Sequence, residues 1–239
     1  MTFLVILLTF LLLISVLIIF RLRQEARTSF TWFRASQLWP QFAEEMPSAD
    51  PTAMPLLILF GDSRAVDWHD PTLDGYTILN HGVNGETINQ AVARLPQTMS
   101  QHPAYIVAQI GVNDLSSIAF LPEHRQAIID NLKQKLRELV NEVEQTDSKL
   151  ILTTIFPFGE QTLRDRLYGG TADKPALTEI NQFIHTFASD KTIIFDAAKV
   201  LSDANGNLHK PYKKDLLHIS QAGYAELNTH LVELLNHNS

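Results

Sequence analysis

Five short apolar runs separated by stretches of helical period constrain this chain more than any other feature. The runs are Leu56–Phe60, Thr77–Leu79, Tyr105–Ile110, Leu150–Ile155 and Thr192–Phe195. A strand with one wet face alternates apolar and polar side chains, whereas a strand covered on both faces reads as an unbroken run. Between the runs lie apolar stripes at three- and four-residue spacing. Ile88, Val92, Leu95 and Met99 form the first, and Ile129, Leu132, Leu136, Leu139 and Val143 the second, opened by Pro122. Leu177, Ile180, Ile184 and Phe187 follow Pro175, and Tyr224, Leu227, Leu231 and Leu234 close the chain, with Ser220 placed as an N-cap. Buried strands alternating with helices predict an α/β domain with a five-stranded parallel sheet and helices on both faces. Sheets of that kind build their sites at the carboxyl ends of the strands.

A sixth apolar run is of another kind. Phe3 to Phe20 holds only Leu, Ile, Val, Phe and the hydroxyl residues Thr9 and Ser15. Its eighteen residues span about 27 Å as a helix, close to the roughly 30 Å hydrocarbon core of a bilayer. A core helix would show a polar face, and a cleaved signal peptide a basic start, a shorter apolar stretch and a small-x-small cleavage site. Here Met1 and Thr2 precede the run and Arg21-Leu22-Arg23 follows it. The expectation is an uncleaved transmembrane anchor over residues 1–23, a juxtamembrane segment and linker over 24–55, and a globular domain over 56–239. Arg21, Arg23, Arg27 and Arg34 all follow the span, so the positive-inside rule assigns the domain to the cytoplasm. Trp32, Phe33, Leu38, Trp39 and Phe42 support two readings, an interfacial aromatic segment or packing on the domain. The three prolines of residues 47–55 mark a linker.

Composition narrows the chemistry. A mean hydropathy of −0.02 averages a nearly pure apolar anchor with a polar remainder. All 19 basic and 26 acidic side chains lie beyond residue 20, and their net charge of −7 argues against nucleic acid as a partner. The absence of cysteine excludes disulfides, a thiol nucleophile, thiolate zinc and cysteine-ligated iron–sulfur clusters. The histidines show no paired metal-ligand spacing. Apart from His218 they read as structural; His81, nearest to a strand end, has lining a cleft as its lesser alternative.

The strand ends carry the reactive residue types. Gly61-Asp62-Ser63 follows the first strand, where a serine could act as a nucleophile if a base stands beside it. Asp215 precedes His218 by three residues, a spacing at which a carboxylate reaches Nδ1–H across a turn and leaves Nε2 for a hydroxyl. Gly85, in Asn84-Gly85-Glu86-Thr87, can present an unobstructed backbone N–H, and Asn113, in Gly111-Val112-Asn113-Asp114, a neutral amide donor. Each block alone is also ordinary turn chemistry. Asp114 reads as a structural hydrogen-bonding residue.

Taken in order, these four blocks resemble those of the SGNH hydrolases, also called GDSL hydrolases, named for Ser, Gly, Asn and His. The likeness runs from residue 56 to about 236 and extends to Asp203-Ala204-Asn205-Gly206-Asn207-Leu208, Tyr212 and Ala222-Gly223-Tyr224. It implies a flavodoxin-like three-layer α/β/α fold and a serine esterase or lipase without metal or organic cofactor. Carried over by position, Ser63 is the nucleophile, His218 the general base and then acid, and Asp215 its orienting carboxylate. The oxyanion hole comprises the Ser63 and Gly85 N–H groups and the Asn113 side chain. Two positions depart from the pattern: Arg64 stands where Leu is common, and Leu216 where Gly is common. Arg64 is expected on the surface, and Leu216 at the pocket mouth. The long connection Pro157 to Pro175 is expected to border the substrate pocket.

The resulting expectation is a membrane-anchored esterase acting on a lipid, thioester or glycan ester. The alternatives are a membrane-tethered binding or scaffold protein with an inactive domain of this type, and a flavodoxin-like nucleotide or flavin binder. The second suits the sequence poorly, because Arg64-Ala65-Val66 after Ser63 lacks the glycines of a phosphate loop.

Overall fold

The computed structural model describes residues 2–35, 46–48, 54–68, 71, 73–161 and 173–238. Helix α1 (Thr2–Ala35) opens the chain. Its apolar side chains from Phe3 to Phe20 are exposed. The two hydroxyls within the run are satisfied inside the helix, Thr9 donating to the Val5 carbonyl at 2.8 Å and Ser15 to that of Leu11 at 2.9 Å. Residues Thr2–Ala26 are long and apolar enough to cross a membrane. The expectations for Leu38, Trp39 and Phe42 and for the side chains of Trp32 and Phe33 fall outside what is described, as do those for residues 162–172 of the long connection.

The rest alternates strand and helix: β1 (Leu56–Gly61), α2 (Ser63–Val66), β2 (Thr77–Gly82), α3 (Ile88–Met99), β3 (Tyr105–Gln109), α4 (Val112–Ser117), α5 (Arg125–Glu144), β4 (Lys149–Thr153), α6 (Lys174–His185), β5 (Thr192–Phe195), α7 (Ala197–Leu201) and α8 (Gln221–Asn238). The five strands form one parallel sheet in the order β2-β1-β3-β4-β5. This is the α/β/α arrangement with one preceding apolar helix that the sequence predicts. Chain direction across the sheet reverses between β1 and β3, and in doubly wound sheets the crevice at that switch point is where ligands bind.

The pleat divides the core in two. Phe60, Ile106, Ala108, Leu150 and Leu152 face α3, α5 and α6. Leu57, Leu59, Val107 and Ile151 face the other way, onto Leu201 of α7, Leu227 and Leu231 of α8, and Trp68. The helical stripes supply the matching surfaces: Leu132, Leu136 and Leu139 of α5 are fully buried, each worth about 1.5–3 kcal/mol in water removed from its side chain. Side-chain caps open two of the helices, the first of these at the expected residue. Ser220 Oγ accepts the Gly223 N–H at 3.4 Å, and Asp173 accepts that of Ala176 at 2.9 Å to open α6.

Strand β2 runs three residues beyond its apolar run, because its polar side chains are satisfied in place. The Asn80 amide donates to the Ala65 carbonyl at 2.8 Å and accepts the Gly82 N–H at 2.8 Å. His81 is completely buried, with Nδ1 3.0 Å from Thr98 Oγ1 of α3 and Nε2 2.8 Å from the Pro47 carbonyl. It therefore lines no cleft and is a satisfied core histidine. Burial lowers its pKa, the Pro47 carbonyl acts in the opposite sense, and Arg94 adds to the lowering.

Candidate active site

The site begins with the way β1 meets β3. Gly61 has φ +140°, and a Cβ there would sit 1.7 Å from the Gln109 carbonyl oxygen. Only glycine permits that approach, which lets the Asp62 N–H donate to the Gln109 carbonyl at 3.1 Å. The chain then turns at once into α2. Asp62 caps it, its carboxylate accepting the Arg64 N–H at 2.9 Å. Burial pushes Asp62 up to about 6, against the pull of the Arg64 charge. Ser63 is the first residue of α2, at the carboxyl edge of the sheet beside the switch point.

The turn carrying His218 folds around one carboxylate. Asp215 Oδ1 accepts the backbone N–H groups of Leu217 at 2.8 Å and His218 at 2.7 Å, while Oδ2 lies 2.9 Å from His218 Nδ1. Burial raises the Asp215 pKa, but the donors of His218 and Leu217 outweigh it and hold the carboxyl below its usual range. The ionised acceptor assigns the proton to Nδ1, which leaves Nε2 as an acceptor. Nε2 lies 3.1 Å from Ser63 Oγ. Three residues from opposite ends of the domain thus stand in one hydrogen-bonded line.

The other two predicted residues come from the β2 and β3 ends. Gly85 adopts φ +74° in the turn before α3. Asn113 sits in the first turn of α4, and its Nδ2 donates to the Glu86 carbonyl at 2.9 Å, beside Gly85. Asp114 Oδ2 accepts the Ile88 N–H at 3.0 Å, the structural role expected of it.

Further groups surround the site, and the first of them carry no sequence signal. Glu86 and Arg94 form a buried pair, Oε1 to Nε 2.5 Å and Oε2 to Nη2 2.6 Å, with side chains 3% and 11% exposed. Burial pushes Glu86 up to about 7, while the hydrogen bonds and charge of Arg94 pull it down. The Arg94 guanidinium covers the Phe60 ring at 4.2 Å. Their eight-residue separation matches no helical pairing rule, so nothing in the sequence joins them. Gly159 donates its N–H to the Leu216 carbonyl at 2.9 Å and lies so close that a Cβ would stand 2.6 Å from the Asp215 carbonyl oxygen. The start of the long connection is therefore seated against the Asp215–His218 turn, and Leu216 is half-buried there. Arg64, expected at the surface, is fully buried. Its acceptors are backbone carbonyls distant in sequence, at Leu217 and Phe156. No group of His, Asp and Glu suited to a metal ion occurs among the described residues.

A hydroxyl, an imidazole and a carboxylate in line at the switch point of a doubly wound sheet can open an ester by acyl transfer. The sequence profile of the GDSL-like Lipase/Acylhydrolase family matches residues 59–226. The chain belongs to that family and is a serine esterase. Its fold is similar to that of a GDSL-like lipase from Bacteroides thetaiotaomicron, with 19% identity, TM-score 0.61, and coverage of 82% of this chain and 94% of the other. An acetylxylan esterase from Geobacillus stearothermophilus aligns with 19% identity and TM-score 0.59, covering 80% of this chain and 95% of that one. A further acetyl xylan esterase aligns with 17% identity and TM-score 0.59, over 75% of this chain and 99% of its own. At these identities the likeness is one of fold. No curated protein matches the chain.

Proposed function

We propose that the protein is a membrane-anchored hydrolase that cleaves carboxylic esters through Ser63, His218 and Asp215. The observation that carries this reading is the line from Ser63 Oγ to His218 Nε2, 3.1 Å, and from Nδ1 to Asp215 Oδ2, 2.9 Å. Nε2 takes the Ser63 proton as Oγ attacks the ester carbonyl, and Asp215 stabilises the imidazolium that results. The backbone N–H groups of Ser63 and Gly85 and the Asn113 amide donate to the oxyanion, each worth on the order of 3 kcal/mol at the barrier. The Asn113 amide carries a second N–H besides the one given to Glu86. The imidazolium returns its proton to the departing alcohol, and a water then repeats the sequence in reverse to free the acid.

Anchoring through residues 3–20 is supported by the bare apolar surface of α1. The basic residues Arg21 and Arg23 favour the cytoplasmic side for the domain. A membrane enzyme of this chemistry suits a lysophospholipid, an acyl thioester or an acetylated glycan. The acetylxylan esterases among the similar folds favour a short acyl group.

The test is labelling with a fluorophosphonate, wild type against Ser63→Ala, followed by hydrolysis of esters of graded chain length. Labelling of the wild type alone supports the reading. A folded wild type that is neither labelled nor active overturns it in favour of a tethered scaffold. Activity of a reporter that works only outside the cytoplasm, fused to the carboxyl terminus, overturns the orientation.

A further inference from the structure

The most conspicuous buried group outside the proposed triad is the side chain next to the nucleophile. Arg64 is completely buried, yet it is charged, since burial lowers its pKa only to about 10, against the raising effect of Asp62. A space filler at this position needs no charge, and an apolar chain fills such a space without the desolvation penalty of a guanidinium. The guanidinium is used directionally. Nε donates to the Leu217 carbonyl at 2.7 Å and Nη1 to the Phe156 carbonyl at 3.0 Å, and the group lies over the Phe156 ring at 5.2 Å. The Arg64 carbonyl in turn accepts the Tyr224 hydroxyl of α8 at 2.9 Å. One residue therefore joins the nucleophile turn, the segment after β4, the His218 turn and the last helix.

The bond to Leu217 closes a small ring. It runs from Ser63 to Arg64 through a peptide bond, to the Leu217 carbonyl through Nε–H, to His218 through a second peptide bond, and back to Ser63 through Nε2 and Oγ. The covalent neighbours of the two reacting side chains are thus bonded to each other. We propose that Arg64 is a positioning residue that fixes His218 over Ser63 by holding the Leu217 carbonyl. This rests on the reading of Ser63 and His218 as nucleophile and general base.

A displaced imidazole has a chemical signature. Expulsion of an alkyl alcohol requires a proton from His218, whereas p-nitrophenolate leaves without one. Loss of positioning therefore slows an alkyl ester more than a p-nitrophenyl ester of the same acid. A general loosening of the fold slows both alike.

The experiment measures kcat/KM for ethyl and p-nitrophenyl esters of one short acid with the wild type, Arg64→Met and Arg64→Lys, each checked for folding by near-ultraviolet circular dichroism. Arg64→Met is expected to lose about 10²-fold on the ethyl ester, and about tenfold less on the p-nitrophenyl ester, with KM for the latter unchanged. Arg64→Lys, which keeps one cationic donor, is expected to fall between. Equal losses on the two esters, or none, overturn the proposal. If Arg64→Met does not fold, Arg64→Lys carries the same comparison by the same criterion. Fluorophosphonate labelling of the wild type separates the premises: an unlabelled wild type removes the triad and Arg64 together, whereas a labelled one with no ester-dependent loss in the variants removes Arg64 alone.

Discussion

Glu86→Gln should flatten the pH dependence of stability. The Glu86 carboxyl is nearly sealed from water by α3 and the β1 end, and burial pushes it from its ordinary 4.5 to about 7 despite Arg94. Between those values the folded protein holds a proton that the unfolded chain has released. Stability from this group is therefore fully present below about pH 4.5 and is lost as pH rises through 7. At ~1.4 kcal/mol per pH unit the loss sums to about 3 kcal/mol, and with the side chain 3% exposed little of it is screened by solvent. Asp62, raised to about 6, contributes a slope of the same sign that the substitution leaves in place. The assay is urea unfolding of the detergent-solubilised protein from pH 4.5 to 8, followed by near-ultraviolet circular dichroism, which reports Trp68 packed against Phe156, Phe195 and Tyr224. The difference in unfolding free energy between wild type and variant should change by about 3 kcal/mol across that range. Parallel curves would refute the assignment of a buried, proton-binding Glu86.

Three further outcomes follow from the geometry. Asp215→Asn should cost about 10⁴-fold in kcat, because an amide no longer dictates the His218 tautomer; steady-state kinetics on any accepted ester checks it. Asn113→Ala should lower kcat by about 10²–10³-fold with KM little changed, as the proposed oxyanion donor is lost. Leu136→Ala empties a fully buried position on α5 and should cost about 2–5 kcal/mol in urea unfolding, while kcat below the unfolding transition stays at the wild-type value.

What the sequence discloses about this fold follows from where the information lies along the chain. The runs at Leu56, Tyr105, Leu150 and Thr192 announce buried strands because both faces of each are covered, and periodicity is a local property. The end of β2 is hidden, because Asn80 and His81 look like a turn until their partners at Ala65, Thr98 and Pro47 are known. The same division holds at the site. Ser63, Gly85, Asn113, Asp215 and His218 stand in blocks whose residue types declare possible chemistry. Arg64 and the Glu86–Arg94 pair declare nothing, because their environment is made by backbone carbonyls and by burial. An arginine next to a serine reads as a solvated side chain, and only the meeting of residues 64, 156 and 217 reverses that.

The bond from His81 to the Pro47 carbonyl has a consequence for the state of the ring. A carbonyl can only accept, so Nε2 carries the proton and Nδ1 is left to accept the Thr98 hydroxyl. One neutral tautomer thus serves both partners, and a side chain without two such nitrogens would strand a buried hydroxyl of α3 and the carbonyl of a residue nine positions ahead of β1 (56 − 47). The outermost strand of the sheet and the segment before its neighbour are held to each other by where a single proton sits.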